Sequence, residues 1–333
     1  MRIWFNRGYS LAPISAAIMA AEPSLEVYAS VGQGLPARPG PIVTWVEPEG
    51  TTAAYLDWVS EQISCYGIDV FVPTRYRALV AAADLPCKVA LPASPPTLAL
   101  LEDKYAFAEA TSAIDCHLPT QLVADSDSLE RAIAEYAGRE GPAAIPCIKP
   151  RNGVNGEGFW ILTKDGPMRH LRNPDARRIR SDLYISALRE QEQEGAAHDL
   201  VLMEYLPGPE VSFDILCQDG QLLKYAARTK LPNGDQAVQS AHLLEHHVAS
   251  LVAMFGLSGV VNAQFRRHAD GSWKILEINA RPAGGSVYSE SVGCGILVDW
   301  ARLLTGMITP DNVGRNVVDT HIRFVSSVEQ VSI

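Results

Sequence analysis

The sequence predicts an α/β fold: a parallel α/β domain over residues 1–95, then a larger region containing antiparallel strands. Three observations carry this. Short apolar runs alternate with helical periodicities through the first quarter of the chain. A hairpin signal, Asp270-Gly271 between two apolar-rich runs, lies in residues 258–281. The 333 residues are 47% hydrophobic and 20% charged, enough apolar material for two or three packed units of ordinary globular kind.

Charge and composition then exclude several classes. A net charge of −10 argues against a nucleic-acid-binding surface as the main function. No apolar run reaches a membrane span, and residues 248–255 are too few. The start, MRIWFNRG, has neither the apolar core nor the cleavage pattern of a secretory signal, so a cytoplasmic location is expected. Cys65, Cys87, Cys116, Cys147, Cys217 and Cys294 are scattered with no C-x-x-C pair, and read as buried reduced thiols.

In order, residues 1–7 read as a strand running into Gly8, and Leu11, Ile14 and Ile18 recur at helical spacing. Residues 25–30 form a second strand, 32–41 a Gly/Pro-rich loop and 42–46 a third strand. Tyr55, Val59 and Ile63, with Trp58, mark an amphipathic helix before a fourth strand at 68–72. No G-x-G-x-x-G is present, so no dinucleotide site is expected. Asn6, Arg7, Gly8 and Ser10 end the first strand, where open α/β sheets bind ligands, although a plain strand-to-helix turn fits equally.

Beyond the Pro92–Pro96 region, residues 100–107 start a helix carrying Glu102-Asp103-Lys104, and Leu129, Ile133 and Tyr136 mark another. Pro142 and Pro146 delimit a short strand at 147–150 that contains Lys149. Gly153, Gly156 and Gly158 follow, interspersed with Asn152 and Asn155, residue types that tolerate positive φ. Such a loop brings backbone N–H groups to phosphate oxygens; a Gly-rich hairpin turn is the plainer alternative. It is not a Walker loop, because the lysine precedes the glycines. Residues 165–198 read as polar helical turns with a solvated acidic run at 190–194.

An apolar strand at 200–206 ends in Pro207-Gly208-Pro209, and Glu210 opens another at 211–216. An apolar slot with backbone polar groups at a strand end suits a purine, and a carboxylate suits a diol. A strand at 222–228, a mobile-looking polar loop at 229–240 and a helix at 244–255 follow. His242 and His246 have i,i+4 spacing but no third ligand, and read as a surface helix. A hairpin centred on Asp270-Gly271 places Gln264 opposite Glu277 and Asn262 opposite Asn279, with Glu277, Asn279 and Arg281 on one face. An odd-length loop would shift this register. The polar face is either a solvated sheet face or a magnesium site, whose hard oxygen ligands would be completed by nucleotide phosphates. A helix at 299–304 and a strand at 321–325 close the chain.

The run N-A-Q-F…E-I-N-A-R, with the upstream lysines, resembles the metal-binding end of the ATP-grasp superfamily, which includes the carbamoyl-phosphate synthetase large chain, biotin carboxylase and the amino-acid ligases. The resemblance is close over residues 95–300 and loose over 1–95. It implies a pre-ATP-grasp α/β domain at 1–95, an N-terminal ATP-grasp part with the lid at 96–205, and a C-terminal part with antiparallel strands and the metal site at 206–333. It implies ATP and two magnesium ions as cofactors, with manganese able to substitute. Lys104 and Lys149 would contact the phosphates beneath a lid of Gly153, Gly156 and Gly158. Glu204 would face the adenine amino group, the backbone at Tyr205 and Leu206 would read the ring, and Glu210 would take the ribose. Gln264, Glu277 and Asn279 would hold metal, and Arg281 and Arg228 would be catalytic. Ser286, Tyr288, Ser289 and Glu290 are candidate substrate contacts or turn residues.

Carbamoyl-phosphate-type members carry a second arginine three residues after the first; Gly284 stands there, and R-x-x-G-G looks more like the amino-acid ligases. The implied activity is therefore an ADP-forming carboxylate–amine ligase acting through an acyl phosphate on a small-molecule carboxylate and an amine, as a homodimer. Two alternatives stay open. One is a carbamoyl-phosphate-synthetase-like, carboxylase or kinase activity at the same ATP site. The other is a non-catalytic nucleotide-binding regulatory protein, against which the complete set Lys104, Lys149, Glu210, Glu277, Asn279 and Arg281 counts.

Overall fold

The structure, a computed structural model, describes residues 1–8, 10–35, 39–137, 144–153, 156–196, 199–323 and 325. The chain divides into one unit of Met1–Leu98, Pro209–Gln264 and Ile278–Ile333 and another of Ala99–Gly208 and Phe265–Glu277. Among the described residues no helix is long and apolar enough to cross a membrane.

The first unit begins with β1 (Arg2–Asn6), α1 (Leu11–Ala21), β2 (Glu26–Val31), β3 (Thr44–Val46), α2 (Thr52–Tyr66), β4 (Val70–Pro73), α3 (Arg77–Ala82) and β5 (Lys88–Val89). The strands are all parallel in the order β3-β2-β1-β4-β5, so the winding reverses between β1 and β4. Alternation along β1 divides the core. Ile3 and Phe5 join Ile14 and Ile18 of α1 on one face, while Trp4 joins Val59 and Ile63 of α2 and Phe71 on the other. The expected strand–helix alternation is present. The short α3 and β5 went unread, because elements of six and two residues are too short to show a period.

The second unit follows α4 (Pro95–Glu102) and contains α5 (Lys104–Ala110), β6 (Thr120–Val123), α6 (Ser126–Ala137), β7 (Pro146–Pro150), β8 (Trp160–Thr163), α7 (Arg169–Arg172), β9 (Arg178–Arg180), α8 (Ser181–Gln193) and β10 (Leu200–Glu204). Its sheet runs β6-β10-β7-β8-β9. Helices α6 and α8 cover one face through Leu129, Ile185 and Leu188. On the other face Cys147, Val201 and Met203 meet Leu118 and Leu206. The single helix expected over 100–107 is instead two. Asp103 interrupts it and caps α5, accepting N–H groups of Tyr105 and Ala106 at 3.0 and 3.0 Å. The stretch expected as polar helical turns also holds β9, whose Arg-Ile-Arg carries no strand signature.

The remaining elements are β11 (Glu210–Gln218), β12 (Gln221–Lys230), β13 (Gln236–Gln239), α9 (Glu245–Met254), β14 (Gly259–Arg267), β15 (Trp273–Asn279), α10 (Ser286–Ser291), α11 (Ile296–Leu304) and β16 (Asp319–Ile322). The third sheet has the order β15-β14-β11-β12-β13-β16. Two expectations fail here. The polar loop over 229–240 contains β13, which bonds to both β12 and β16. The two-residue turn at Asp270-Gly271 is a three-residue loop, because His268 N–H donates to Ser272 O at 2.8 Å around residues 269–271. The register built on a two-residue turn therefore fails at the turn.

Candidate functional site

In the second unit, alternation along β7 sends Ile148 into the core beneath α6 and α8, and Cys147 and Lys149 to the opposite face. Lys149 there lines a narrow pocket with Lys104, Phe107, Thr120, Met203 and Leu276. Lys104 opens α5, and its Nζ donates to the carbonyls of Gly153 at 2.9 Å and Arg151 at 3.4 Å. Arg151 in turn grips Asp103 through Nε and Nη2 at 2.9 and 2.5 Å, a pair the sequence did not announce.

Burial pulls the Lys149 ammonium below its usual range, and Glu277 opposes that pull. Burial and then the charge of Lys149 lower Lys104 as well, against Glu277 and Asp103. Both ammonium groups thus sense the same carboxylate and Lys104 also senses Lys149, an arrangement that an anion would stabilise. Gly153, Gly156 and Gly158 have φ of 140°, 67° and 66°, the region that favours glycine. Asn155, part of the expected lid, lies outside the described residues. Cys147 on this face is no nucleophile, since burial pushes its thiol up to about 12.

At the end of β10, the backbone N–H of Tyr205 donates to Ile145 O at 2.7 Å, and Leu206 is buried in the apolar face. The Arg266 guanidinium lies 5.4 Å from the Tyr205 ring centroid. Glu204 is 2.7 Å from His268 Nε2, whose Nδ1 is 2.9 Å from Asp270. Sequence reasoning did not single out His268 or Arg266, and neither has a local pattern that would mark it. Burial alone would lower His268, but its hydrogen bonds with Asp270 and Glu204 outweigh burial and hold it above its usual value. A raised folded value gives stability that is fully present below the unfolded value of ~6.5 and is lost as pH rises through the folded value. Between about pH 6 and about pH 8, the wild type is therefore expected to lose more Tm than His268→Gln. Parallel Tm curves in differential scanning fluorimetry would contradict this coupling.

In the first unit a buried carboxylate organises its neighbours. Asp214 on β11 is 0% exposed and accepts Arg228 Nε and Nη2 at 2.6 and 3.2 Å. It also accepts Asn262 Nδ2 at 3.1 Å and the hydroxyls of Ser286 and Ser289 at 2.7 and 2.8 Å. Arg228 gives a further bond to Gln236 Oε1 at 3.2 Å, and the Tyr288 ring lies 5.9 Å away. Ser286 and Ser289, expected as substrate contacts, are fully buried and tie α10 to β11. Glu290 accepts Leu297 N–H at 2.6 Å and so serves the start of α11; burial raises its carboxyl. Arg228, expected in a reaction centre, is likewise engaged inside the protein. The readable signal for this cluster was the lone Asp214 within the apolar run VSFDIL.

The other expected residues of this unit carry local bonds. Glu210 accepts Lys230 Nζ at 2.6 Å, and Gln264 Nε2 lies 3.4 Å from Asn262 Oδ1. Arg281 donates to Pro282 O at 3.2 Å and to Asn279 Oδ1 at 3.4 Å.

Residues 196–328 match a family model described as ATP-grasp in the biosynthetic pathway with Ter operon. No curated protein sequence matches the chain. Solved structures do. Biotin carboxylase of Campylobacter jejuni, in a β,γ-ATP complex, is 12% identical with a TM-score of 0.65, over 96% of this chain and 74% of that one. An L-amino acid ligase of Bacillus licheniformis is 15% identical with a TM-score of 0.62, over 94% and 77%. The biotin carboxylase domain dimer of 2-oxoglutarate carboxylase from Hydrogenobacter thermophilus, with MgADP, ADP and bicarbonate, is 16% identical with a TM-score of 0.60, over 92% and 69%.

Proposed function

We propose that this chain, which has the fold of the ATP-grasp structures it resembles and matches an ATP-grasp family model over residues 196–328, is a member of the ATP-grasp superfamily and an ATP-dependent carboxylate–amine ligase that forms an acyl phosphate and releases ADP and phosphate. The observation that carries the reading is that Lys104, opening α5, and Lys149, on β7, line one pocket within reach of the Glu277 charge. Two lysines with one carboxylate suit a polyphosphate that brings its own negative charge. The apolar wall of Met203, Leu206 and Leu276 suits a purine beside them.

In this reading Lys104 and Lys149 bind the phosphates, and the backbone at Tyr205 and Leu206 reads the base. Glu204, oriented by His268, accepts the adenine amino group, and Glu210 accepts the ribose hydroxyls. Gln264, Glu277 and Asn279 offer only oxygen donors as ligands, and Glu277 and Asn279 are two positions apart on β15. That donor set fits magnesium, which when bound neutralises charge on the transferring phosphoryl group. A carboxylate oxygen of the acid attacks the γ-phosphorus as the bond to ADP breaks. The amine then adds to the acyl carbon and phosphate leaves, with Arg281 stabilising the anionic groups. No protein nucleophile is required. Gly284 in place of a second arginine favours an amine acceptor over bicarbonate.

The test is product analysis with panels of amino acids as acid and amine. Stoichiometric ADP and phosphate are expected; stoichiometric AMP and pyrophosphate would overturn the reading. Lys149→Met should raise the KM for ATP by roughly ten-fold or more, because a charge-assisted contact is worth about 1.5–3 kcal/mol. An unchanged KM would remove Lys149 from the nucleotide site.

A further inference from the structure

The carboxyl ends of β1, β2, β3 and β4 surround a cavity of about 390 Å3, lined by Arg7, Gly32, Thr51, Tyr55, Arg75 and Tyr76 among others. Arg7 follows β1 and Arg75 follows β4, so the two arginines come from the two strands between which the winding reverses. Ligands of open α/β sheets settle at such a point because the loops there diverge.

The arginines are held in place from behind. Glu47 is 0% exposed, accepts the Ser30 hydroxyl at 2.9 Å, and lies 2.5 Å from Arg7 Nε. A Cβ on Gly32 would stand 3.2 Å from Arg7 Cζ and 3.3 Å from Nη1, so the bare glycine lets the guanidinium lie against the end of β2. Arg75 donates from Nη2 to the Tyr76 hydroxyl at 2.8 Å and covers that ring at 4.4 Å. Among the described residues it has no carboxylate partner. Asn6, fully buried, clasps the strand ends by accepting the N–H groups of Thr74 and Arg75 at 2.6 and 3.3 Å. Thr51 and Thr52 add hydroxyls at the start of α2, and the acid on the rim, Glu49, is exposed. Tyr55 and Tyr76, with rings 4.9 Å apart, form an aromatic wall.

We propose that this cavity is a binding site for a small-molecule oxyanion, a carboxylate or a phosphate carried on a ring-sized body, gripped by Arg7 and Arg75 beside the two tyrosines. A planar guanidinium held from behind presents paired N–H donors that match either oxyanion. The volume is that of a small-molecule site. The inference stands apart from the ligase reading, since all the residues that carry it lie in the first 76 positions.

Isothermal titration of the full chain, without ATP or magnesium, tests it with three probes of similar body: phenyl phosphate, 3-phenylpropanoate and neutral benzyl alcohol. Saturable binding of at least one anion, tighter than benzyl alcohol, is expected, and the tighter anion identifies the oxyanion class. Arg75→Gln should weaken that binding roughly ten-fold or more, and Gly32→Ala should weaken it with every charge retained, both at unchanged Tm. Anions binding no better than benzyl alcohol, or binding that survives Arg75→Gln, would overturn the proposal. Ligase activity plays no part in this readout, so either reading can fail alone.

Discussion

Glu277→Ala is expected to lower turnover by several orders of magnitude while the protein still folds and still binds ATP. Glu277 is half-buried near the end of β15, and both Lys104 and Lys149 sense its charge. Removing it takes away the one carboxylate among the proposed metal ligands. It also leaves two ammonium groups without that counter-charge. Affinity for the polyanionic nucleotide should therefore hold or rise as the rate collapses, a split between KM and kcat that general misfolding would not give. Glu277→Gln keeps the shape without the charge and is expected to fail nearly as badly. Turnover of the Glu277→Ala variant at the wild-type rate would sink the metal assignment.

Asp214→Ala is expected to cost about 3–5 kcal/mol of stability, because it strands a buried cation. Asp214 has no exposure, and Arg228 beside it is 6% exposed. The same substitution leaves Ser286 and Ser289 without the oxygen each now donates to and takes one of Asn262's acceptors, so α10 loses its tie to β11. Asp214→Asn should fall between the two, keeping the shape but not the charge. Urea denaturation reads the loss directly. A change under about 1 kcal/mol would mean that the cluster is not the anchor described here.

Periodicity and punctuation were enough to read four strands of the five-stranded parallel sheet. A helix with a clear apolar stripe, such as α2 with Tyr55, Val59 and Ile63, stood out in the sequence, whereas α8, whose only buried residues are Ile185 and Leu188, reads merely as polar helical turns. Short elements did not stand out: β9 and β13 are strands only because a neighbour supplies hydrogen-bond partners. The hairpin was legible as a hairpin, but its loop length was not. Asp270-Gly271 fits a turn of two residues or three, and the His268–Ser272 bond decides between them.

The candidate site divides along the same line. By itself, the sequence determined that Lys149 stands on a strand before a glycine loop, and that Glu277, Asn279 and Arg281 recur at every second position. Both are matters of local spacing, which the backbone period converts into direction. Only the tertiary structure decided that Lys104 shares a pocket with Lys149, that His268 holds Glu204, and that Ser286, Ser289 and Arg228 converge on Asp214. The two serines were candidate substrate contacts or turn residues, and Arg228 a candidate catalytic arginine. All three are engaged by Asp214, because a buried carboxylate must be satisfied by donors wherever the fold can bring them, and these donors lie 14 to 75 positions away in the chain.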